Sequence, residues 1–407
     1  MEPGVVTGMM RLGFFGFASL FWAVAAGASA DDSGGAALPA PADIPAPTCP
    51  QQVFPEGQNW LSRAFEVEQT RGPAIRALQK AAFTLQGHDD ERIGVRTDAV
   101  LIVSGGAVVY EQYGRGWDSA KRHLTWSVSK SLTNALVGVA VQQGLLRTTD
   151  SICTWIPDLP PASCAVHVEH LLEMASGFDW KETYENEGNQ QSSVLALLYG
   201  QGSKDGARFT ARHRLRDAPG TSWMYSSGDA VTLAAVVGAA LRPTYGERFP
   251  WSALLGRIGA GHSTMERDAA GTYNGASFWY ATTRDAARLG LLYLADGCWQ
   301  QQRILPEGWV AEAAAVNPAF KKKRIAAQPS DVYGRLFWLN RAVPEAGIPK
   351  PMPDVPDDAF AAQGHWGQSV TIIPSLDLVI VRFADDRDGA FDFNHFLKLA
   401  IAVGRNP

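Results

Sequence analysis

The stretch HLTWSVSKSLTNALVGVAVQQGLL, from His123 to Leu146, places Ser127 three residues before Lys130 at the head of an apolar segment. Apolar residues recur there with the period of a helix, at positions 128, 132, 135, 136 and 139. On one helical face the Lys130 ammonium can reach the Ser127 hydroxyl. A serine becomes a nucleophile when a neighbour accepts its proton, and a lysine accepts one when burial lowers its pKa. The same letters fit an ordinary capped helix with an exposed lysine, so this segment by itself favours neither interpretation.

The composition is that of a large globular protein. Of 407 residues, 46% are hydrophobic and 19% charged, enough for one large domain or two closely joined lobes. The net charge of −5 predicts no nucleic-acid binding, and the basic run Lys321–Arg324 is interpreted as a solvated loop.

The N-terminal residues have the pattern of an export signal. Arg11 precedes the apolar run 12–26, and the small residues 28–30 follow it. Residues 1–30 are therefore predicted to be a signal peptide cut near Ala30, and residues 31–55 a flexible leader. An uncleaved anchor helix is the alternative. We expect a periplasmic or secreted protein with no stable membrane insertion after signal removal, because no other stretch is long enough to span a bilayer.

The cysteines agree with an oxidising compartment. Cys153 and Cys164 enclose the loop CTWIPDLPPASC, which one disulfide could close. Cys49 and Cys298 could form a second bridge, although the sequence leaves the pairing open. None of the spacings matches a zinc pattern, so no metal site is predicted.

Strand-like patterns occur at both ends of the chain around a helical middle. A helix is predicted around 60–85 and a β-hairpin over 98–116. Helices and loops dominate from about 150 to 250, and 277–295 is predicted to be one amphipathic helix. The C-terminal runs VYGRLFWLN, HWGQSVTIIP and DLVIVRFAD resemble adjacent antiparallel strands with a turn at Pro374, and a helix closes the chain. This order predicts an α/β domain interrupted by an all-α insertion.

Two further segments carry candidate chemistry. In APGTSWMYSSGD, Tyr225 comes two residues before Ser227 at the head of an apolar helix. A tyrosine near a lysine could have a lowered pKa and exchange protons with a serine, although a structural tyrosine is the ordinary alternative. The segment His365–Gly367 is placed at the head of an exposed strand, where a small residue lets a substrate backbone lie close. A structural histidine is the alternative there.

Together these segments resemble the penicillin-recognising serine hydrolases, which combine S-x-x-K, Y-x-[SN] and [KH]-x-G in this order. The chain from about 60 to 400 is similar to the class C β-lactamase-type branch, with its esterases, D-peptidases and 6-aminohexanoate-dimer hydrolases. The stretches that match in order are SVSKS, LLEMASGFDW, PGTSWMYSS, TTRDAARLGLLYLADGCWQQQRILPEGWV, YGRLFWLN and GHWGQSVTIIPSLDLVIV. The resemblance implies a β-lactamase/transpeptidase-like α/β fold over residues 56–407, an antiparallel sheet flanked by helices with an all-α lobe at about 130–250, and no cofactor.

The resemblance also implies residue roles. Ser127 would be the acylated nucleophile, and Lys130 and Tyr225 would share the general-base and general-acid work. The backbone N–H groups of Ser127 and Gln368 would form the oxyanion hole. The substrate-binding candidates are Ser227, His365, Trp366, Gly367 and, by a looser match, Tyr184, for which a surface position is the alternative.

Two departures from the family pattern concern the substrate. Ser227 stands where the family often has Asn, and His365 where the third motif often has Lys. Histidine is mostly neutral at pH 7, which disfavours β-lactams and D-Ala-D-Ala peptides and favours linear amides or esters. Four acidic residues around Trp180 could make the rim of the site favourable to amines, although a solvated loop is the favoured interpretation. They are Asp179, Glu182, Glu185 and Glu187.

The predicted function is that of an exported serine hydrolase acting on a small linear amide or ester. A Ser-His-Asp hydrolase is disfavoured because no serine has the G-x-S-x-G surroundings. A β-lactamase or D-amino peptidase of the same fold, and a non-catalytic relative that binds peptidoglycan, are the alternatives. A non-catalytic relative would be expected to lack Ser127, Lys130 or Tyr225, and all three are present. The natural substrate and the oligomeric state stay open.

Overall fold

The computed structural model describes residues 49, 72–86, 88, 93–184, 192–328, 331–387, 389 and 391–405. The predicted signal peptide lies outside these residues. The predicted leader, apart from residue 49, and the first part of the helix predicted around 60–85 lie outside them as well. Among the described residues, no helix is long and apolar enough to cross a membrane.

Hydrophobic strands from both ends of the chain meet in one antiparallel sheet. Within the described chain its order is β2-β1-β11-β10-β9-β8, and β3, β5 and β4 form a smaller sheet. The strands are β1 (Thr97–Ser104), β2 (Ala107–Tyr113), β3 (His123–Leu124), β4 (Thr264–Met265), β5 (Trp279–Ala281), β6 (Cys298–Trp299), β7 (Gln302–Arg303), β8 (Trp338–Leu339), β9 (Phe360–Gly364), β10 (Gln368–Ile373) and β11 (Leu378–Ala384). The predicted hairpin is confirmed as β1 and β2, and the predicted turn at Pro374 joins β10 to β11.

Helices cover both faces of the large sheet and fill the middle of the chain. They are α1 (Pro73–Phe83), α2 (Val128–Gln142), α3 (Ile152–Trp155), α4 (Val168–Leu172), α5 (Ser193–Tyr199), α6 (Gly206–Ala211), α7 (Ser227–Tyr245), α8 (Thr283–Leu294), α9 (Trp309–Ala313), α10 (Pro318–Lys322) and α11 (Phe393–Arg405). The helices that follow α2 in the middle of the chain, from α3 to α7, form the predicted all-α insertion, so the predicted fold class is confirmed. Helices α1 and α11 share one core with the outer face of β1 and β11.

Helix α2 is the central element of the fold. Every residue from Val128 to Ala140 is buried, because the helix lies between the sheet and the all-α insertion. A helix enclosed on all sides has apolar residues around most of its surface. Its polar residues Ser129, Lys130 and Asn134 are buried with it and must find partners inside the protein.

Two segments differ from the sequence prediction. Residues 277–295 do not form one helix: Trp279–Ala281 form β5, which pairs with β3 and β4, and Thr282 then caps α8 by accepting a bond from the Asp285 N–H. Strand β9 is not predicted by pattern, because its sequence FAAQG holds mostly small residues with weak strand preference. Pairing with β8 and β10 on its two edges produces it.

Both candidate disulfides are present. Cys153 is bonded to Cys164, and Cys49 is bonded to Cys298, the first residue of β6. The first bridge closes a short Pro-rich loop after α3, and the second connects the N-terminal part of the chain to the residues that follow α8.

Candidate active site

Ser127 lies at the tight turn that starts α2. The residue before it, Trp126, has a left-handed backbone with φ of 49°, which is unfavourable for a bulky side chain. Strained backbone of this kind is held in place by its surroundings and is common at functional sites. Here the Ser129 hydroxyl accepts a hydrogen bond from Trp279 N at 3.1 Å and ties the start of the helix to β5. The Ser127 hydroxyl is bonded to Lys130 rather than capping α2, so the capped-helix interpretation is wrong.

Lys130 has the environment that a lysine base needs. Only 1% of the residue is exposed, and its ammonium donates to Ser127 Oγ at 2.8 Å, to Ser227 Oγ at 3.0 Å and to the Ala276 carbonyl at 3.0 Å. Burial lowers the pKa of Lys130 to about 8, although the carboxylate of Glu182 opposes this effect. An appreciable fraction of Lys130 is therefore unprotonated at neutral pH and can accept the Ser127 proton.

Tyr225 lies against both of these residues. The start of α7 positions it: Ser226 caps the helix by accepting a bond from Asp229 N, which places Tyr225 just before the helix and Ser227 at its first residue. The Lys130 ammonium lies 4.9 Å from the centre of the Tyr225 ring. Desolvation and the nearby Glu182 carboxylate raise the pKa of Tyr225, and its hydrogen bond with Ser127 only partly offsets this. The predicted lowered pKa is wrong, so Tyr225 is a neutral phenol at this site.

Glu182 connects these groups to the loop that follows Trp180. Its carboxylate accepts bonds from Ser227 N at 2.9 Å, Ser227 Oγ at 2.6 Å, Trp180 Nε1 at 2.6 Å and Tyr184 OH at 2.8 Å. The favoured solvated-loop interpretation is therefore wrong for Glu182. Asp179 is paired with Arg214 and Arg216, and Glu185 and Glu187 lie outside the described residues. No pattern in the sequence distinguishes Glu182 from its acidic neighbours.

The sheet side of the site is formed by the end of β9. An ideal Cβ added to Gly364 would lie 2.2 Å from Thr125 O, 3.1 Å from Ser127 N and 3.1 Å from Gln368 Cβ. A side chain at Gly364 would overlap the backbone before the nucleophile, so only glycine fits there. Gly364 is thus the glycine that allows β9 to approach Ser127.

The segment His365–Gly367 is a turn between β9 and β10 rather than the predicted exposed strand. Gly367 has φ of 93°, and a Cβ there would lie 2.5 Å from Arg382 Nη1 and 2.6 Å from Asp386 Oδ2. The missing side chain of Gly367 therefore makes room for a buried ion pair and not for a substrate backbone. Gln368 is the first residue of β10 and pairs with Gly364.

Aromatic rings pack together around His365, beside the residue that precedes Ser127. The His365 ring stacks on Tyr184 with centroids 4.9 Å apart. It lies nearly perpendicular to the Trp126 ring at 5.8 Å and is tilted against the Trp366 ring at 4.7 Å. The structure therefore brings Tyr184, the most loosely matched candidate, to the site beside His365. Trp180 is 2% exposed and supports Glu182 from the core instead of lining the approach.

The predicted catalytic residues thus converge on one point. Lys130 lies at hydrogen-bonding distance from both Ser127 and Ser227, and its ammonium faces the Tyr225 ring. Tyr184 is joined to this group through Glu182, and His365 stacks on Tyr184. Such a site can carry a nucleophilic hydroxyl, a lysine with a lowered pKa as base and a neutral phenol as proton donor. Within the described residues, no group of His, Cys, Asp or Glu side chains is arranged to hold a metal ion.

Comparisons with known proteins show the family and the fold of the chain. The sequence profile of the family described as Beta-lactamase matches residues 81–402. A 6-aminohexanoate-dimer hydrolase of Paenarthrobacter ureafaciens is 26% identical over 326 residues, which cover 75% of this chain and 77% of that protein. The solved structures that share the fold include two hydrolases. A family VIII carboxylesterase has a TM-score of 0.59 at 17% identity, over 82% of this chain and 98% of that one. A D-stereospecific amidohydrolase from Streptomyces sp. has a TM-score of 0.56 at 15% identity, over 79% and 97%.

Proposed function

The chain belongs to the beta-lactamase family, and on this premise we propose that it is an exported serine hydrolase that cleaves a small linear amide or ester through an acyl-enzyme on Ser127. The observation that carries the proposal is the contact of 2.8 Å between the Ser127 hydroxyl and Lys130, a buried lysine whose pKa is lowered to about 8. If Lys130 only stabilised the fold, a directly bonded carboxylate would stabilise its buried ammonium more than three neutral acceptors do.

Acylation proceeds through Lys130 and Tyr225. Unprotonated Lys130 takes the Ser127 proton as Oγ attacks the substrate carbonyl carbon, and the carbonyl oxygen becomes an oxyanion. When this tetrahedral intermediate collapses, the bond to the amine or alcohol breaks, and that group leaves with a proton that Tyr225 delivers. Tyr225 regains its proton from the Lys130 ammonium. Water then attacks the acyl-enzyme by the same steps in reverse order, which releases the acid and restores the Ser127 hydroxyl.

We place the second oxyanion donor at the backbone N–H of His365, one residue after Gly364, together with the N–H of Ser127. Support comes from the close approach of Gly364 to Ser127 N. The sequence-based alternative, Gln368 N, is less well placed, because the preceding Gly367 packs against the buried Arg382–Asp386 pair and its carbonyl accepts from Arg382 at 3.2 Å, whereas Gly364 is the glycine that lies against Ser127.

The site favours a substrate without an anionic group at the sheet edge. If Gly364 is the glycine of the third family motif, the residue two positions before it is Ala362, which is apolar and buried. A lysine at that position would attract a carboxylate, and alanine cannot. Glu182 already accepts four hydrogen bonds from the protein, which argues against the suggested role of this acid in binding an amine.

Export is supported by two disulfides, which form in oxidising compartments, together with the signal-like residues 1–30. We therefore propose a periplasmic or secreted location for the mature protein.

The test is hydrolysis of a short p-nitrophenyl ester, a linear amide and a β-lactam by the wild type, Ser127→Ala and Ser131→Ala. Ser131 is a matched control, because its hydroxyl lies on the same helix and donates to the Leu336 carbonyl, away from Lys130. We expect turnover of the ester or amide and an acyl mass increase that are lost only in Ser127→Ala. Preferred β-lactam turnover would contradict the proposed substrate class, and absence of both turnover and mass increase would favour a binding protein.

A further inference from the structure

The turn His365–Gly367 rests on a buried polar cluster that the proposed reaction does not use directly. The cluster consists of Gln368, Arg382 and Asp386, which we call the turn-binding cluster. Their exposed fractions are 1%, 0% and 4%. Buried charged and amide groups are costly unless they are paired, so their presence under one short turn calls for a physical reason.

Each carbonyl of the turn accepts a hydrogen bond from this cluster. Gln368 Nε2 donates to His365 O at 3.0 Å and to Trp366 O at 3.3 Å. Asp386 N also donates to Trp366 O, at 3.1 Å, and Arg382 Nη1 donates to Gly367 O at 3.2 Å. The turn needs this support, because Trp366 and Gly367 both have left-handed backbone and the first of them is a bulky residue.

The cluster is itself fixed to the sheet. Arg382 Nη1 pairs with Asp386 Oδ2 at 2.6 Å, and its other nitrogens donate to Thr97 Oγ1 at 3.0 and 2.7 Å. Gln368 Nε2 also donates to Ala384 O at 2.6 Å, while its Oε1 accepts from Ala384 N at 3.1 Å. These bonds join the turn to the central strands β1 and β11.

We propose that the turn-binding cluster positions the oxyanion donor: Gln368, Arg382 and Asp386 are positioning residues that hold the His365 N–H in line with the Ser127 N–H. This inference rests on the proposed function. His365 is fixed on one side by Gly364 against Ser127 and on the other by its own carbonyl bonded to Gln368. Loss of the second attachment leaves the fold and the nucleophile in place and lets the His365 N–H move away from the developing oxyanion. Because the donor acts on charge that appears in the transition state, such movement lowers kcat more than it raises KM.

The chain offers a matched control for Gln368. Asn340 is also 1% exposed, and its amide likewise donates to three backbone carbonyls, those of Met352, Val355 and Pro356, and accepts from one backbone N–H. The substitutions Gln368→Met and Asn340→Leu each remove four comparable bonds at nearly constant volume. A merely structural role of the amide predicts similar effects of both.

The experiment measures ester hydrolysis, the Ki of a phenylboronic acid, and the melting temperature of wild type, Gln368→Met and Asn340→Leu. The boronate becomes a tetrahedral anion on Ser127 and so requires the oxyanion donors. We expect Gln368→Met to lower kcat and raise the boronate Ki by about tenfold or more, with KM within about threefold, whereas Asn340→Leu changes only the melting temperature.

Endpoint labelling of Ser127 by a fluorophosphonate measures the fraction of folded, reactive enzyme in each preparation. If Gln368→Met does not fold, Asp386→Asn serves as the second variant. The positioning role would be overturned if Gln368→Met kept its kcat and its boronate Ki within about threefold of the wild type. It would also be overturned if Asn340→Leu lost as much kcat and boronate affinity as Gln368→Met. Either result would leave the proposed function intact. A wild type that neither hydrolyses the ester nor binds the boronate would instead contradict the proposed function, and the positioning role with it.

Discussion

The carboxylate of Glu182 holds Ser227 at two points, accepting bonds from its backbone N–H at 2.9 Å and its hydroxyl at 2.6 Å. The same hydroxyl accepts from Lys130 Nζ at 3.0 Å. Ser127, Lys130, Ser227 and Glu182 therefore form one continuous chain of hydrogen bonds. A negative charge at its far end favours the ammonium form of Lys130, and burial opposes it.

The first prediction concerns the pH dependence of ester hydrolysis. Lys130 acts when unprotonated, so kcat/KM of the wild type should rise with pH through a midpoint near its pKa of about 8. Replacing Glu182 by Gln removes the charge that favours the ammonium, so the midpoint should move to lower pH while the maximal rate falls about tenfold as Ser227 loses its position. The profile is measured from about pH 5 to about pH 10.

Exposed Glu307 provides the charge control for this experiment. Glu307→Gln should leave both the midpoint and the maximal rate as in the wild type. A midpoint that stays in place in Glu182→Gln, or that moves to higher pH, would contradict the electrostatic link between Glu182 and Lys130.

The second prediction separates the roles of Tyr225 and Lys130. Because the pKa of Tyr225 is raised, its phenol is a proton donor in the resting enzyme and not the base. Tyr225→Phe should lower kcat by about a hundredfold or more and keep the alkaline rise of the pH profile, since Lys130 still titrates. Circular dichroism checks that the variant is folded. Loss of the rise in this variant would assign the base to Tyr225.

The third prediction concerns the contact between β9 and the nucleophile. Gly364→Ala would bring a methyl group into overlap with Thr125 O. We expect this overlap to lower the free energy of unfolding by about 1–3 kcal/mol. Because it displaces β9 from Ser127, it should also lower kcat/KM by about a hundredfold. At Gly261, a Cβ meets no atom within 4 Å, so Gly261→Ala is the control and should have little effect. Denaturant unfolding and ester hydrolysis are measured on both. Normal activity in Gly364→Ala would mean that β9 does not form the sheet side of the site.

The fourth prediction concerns the bridge between Cys153 and Cys164. It closes a loop with a sequence separation of 11, and the double variant with serine at both positions should lose about 3 kcal/mol or less of stability. The bridge lies outside the site, so ester kcat should be unchanged at a temperature where the variant is folded. Unfolding by denaturant is compared with and without a reductant. An unchanged unfolding midpoint relative to oxidised wild type would show that the loop is fixed without its disulfide.

Local patterns in the sequence predicted several of the elements and the contact between Ser127 and Lys130. The helical period after Ser127 predicts α2, and a spacing of three residues on a helix puts the Lys130 ammonium within reach of the Ser127 hydroxyl. The alternation and turn residues of 98–116 likewise predict β1 and β2. Tyr225 required the ordered set of motifs, since nothing local separates it from a structural tyrosine.

Long-range contacts decided the rest. Glu182 meets Ser227 across 45 residues, and Arg96 meets Asp386 across 290, so no window of sequence contains either relationship. The choice between Gly364 and Gly367 as the glycine against Ser127 also depended on packing, because both are glycines near the end of a strand and only one faces Thr125. The protonation states were equally a property of the assembled fold: burial lowers the pKa of Lys130 against the opposing charge of Glu182, whereas burial and Glu182 together raise the pKa of Tyr225. Both shifts arise only when the sheet and the all-α insertion close around α2.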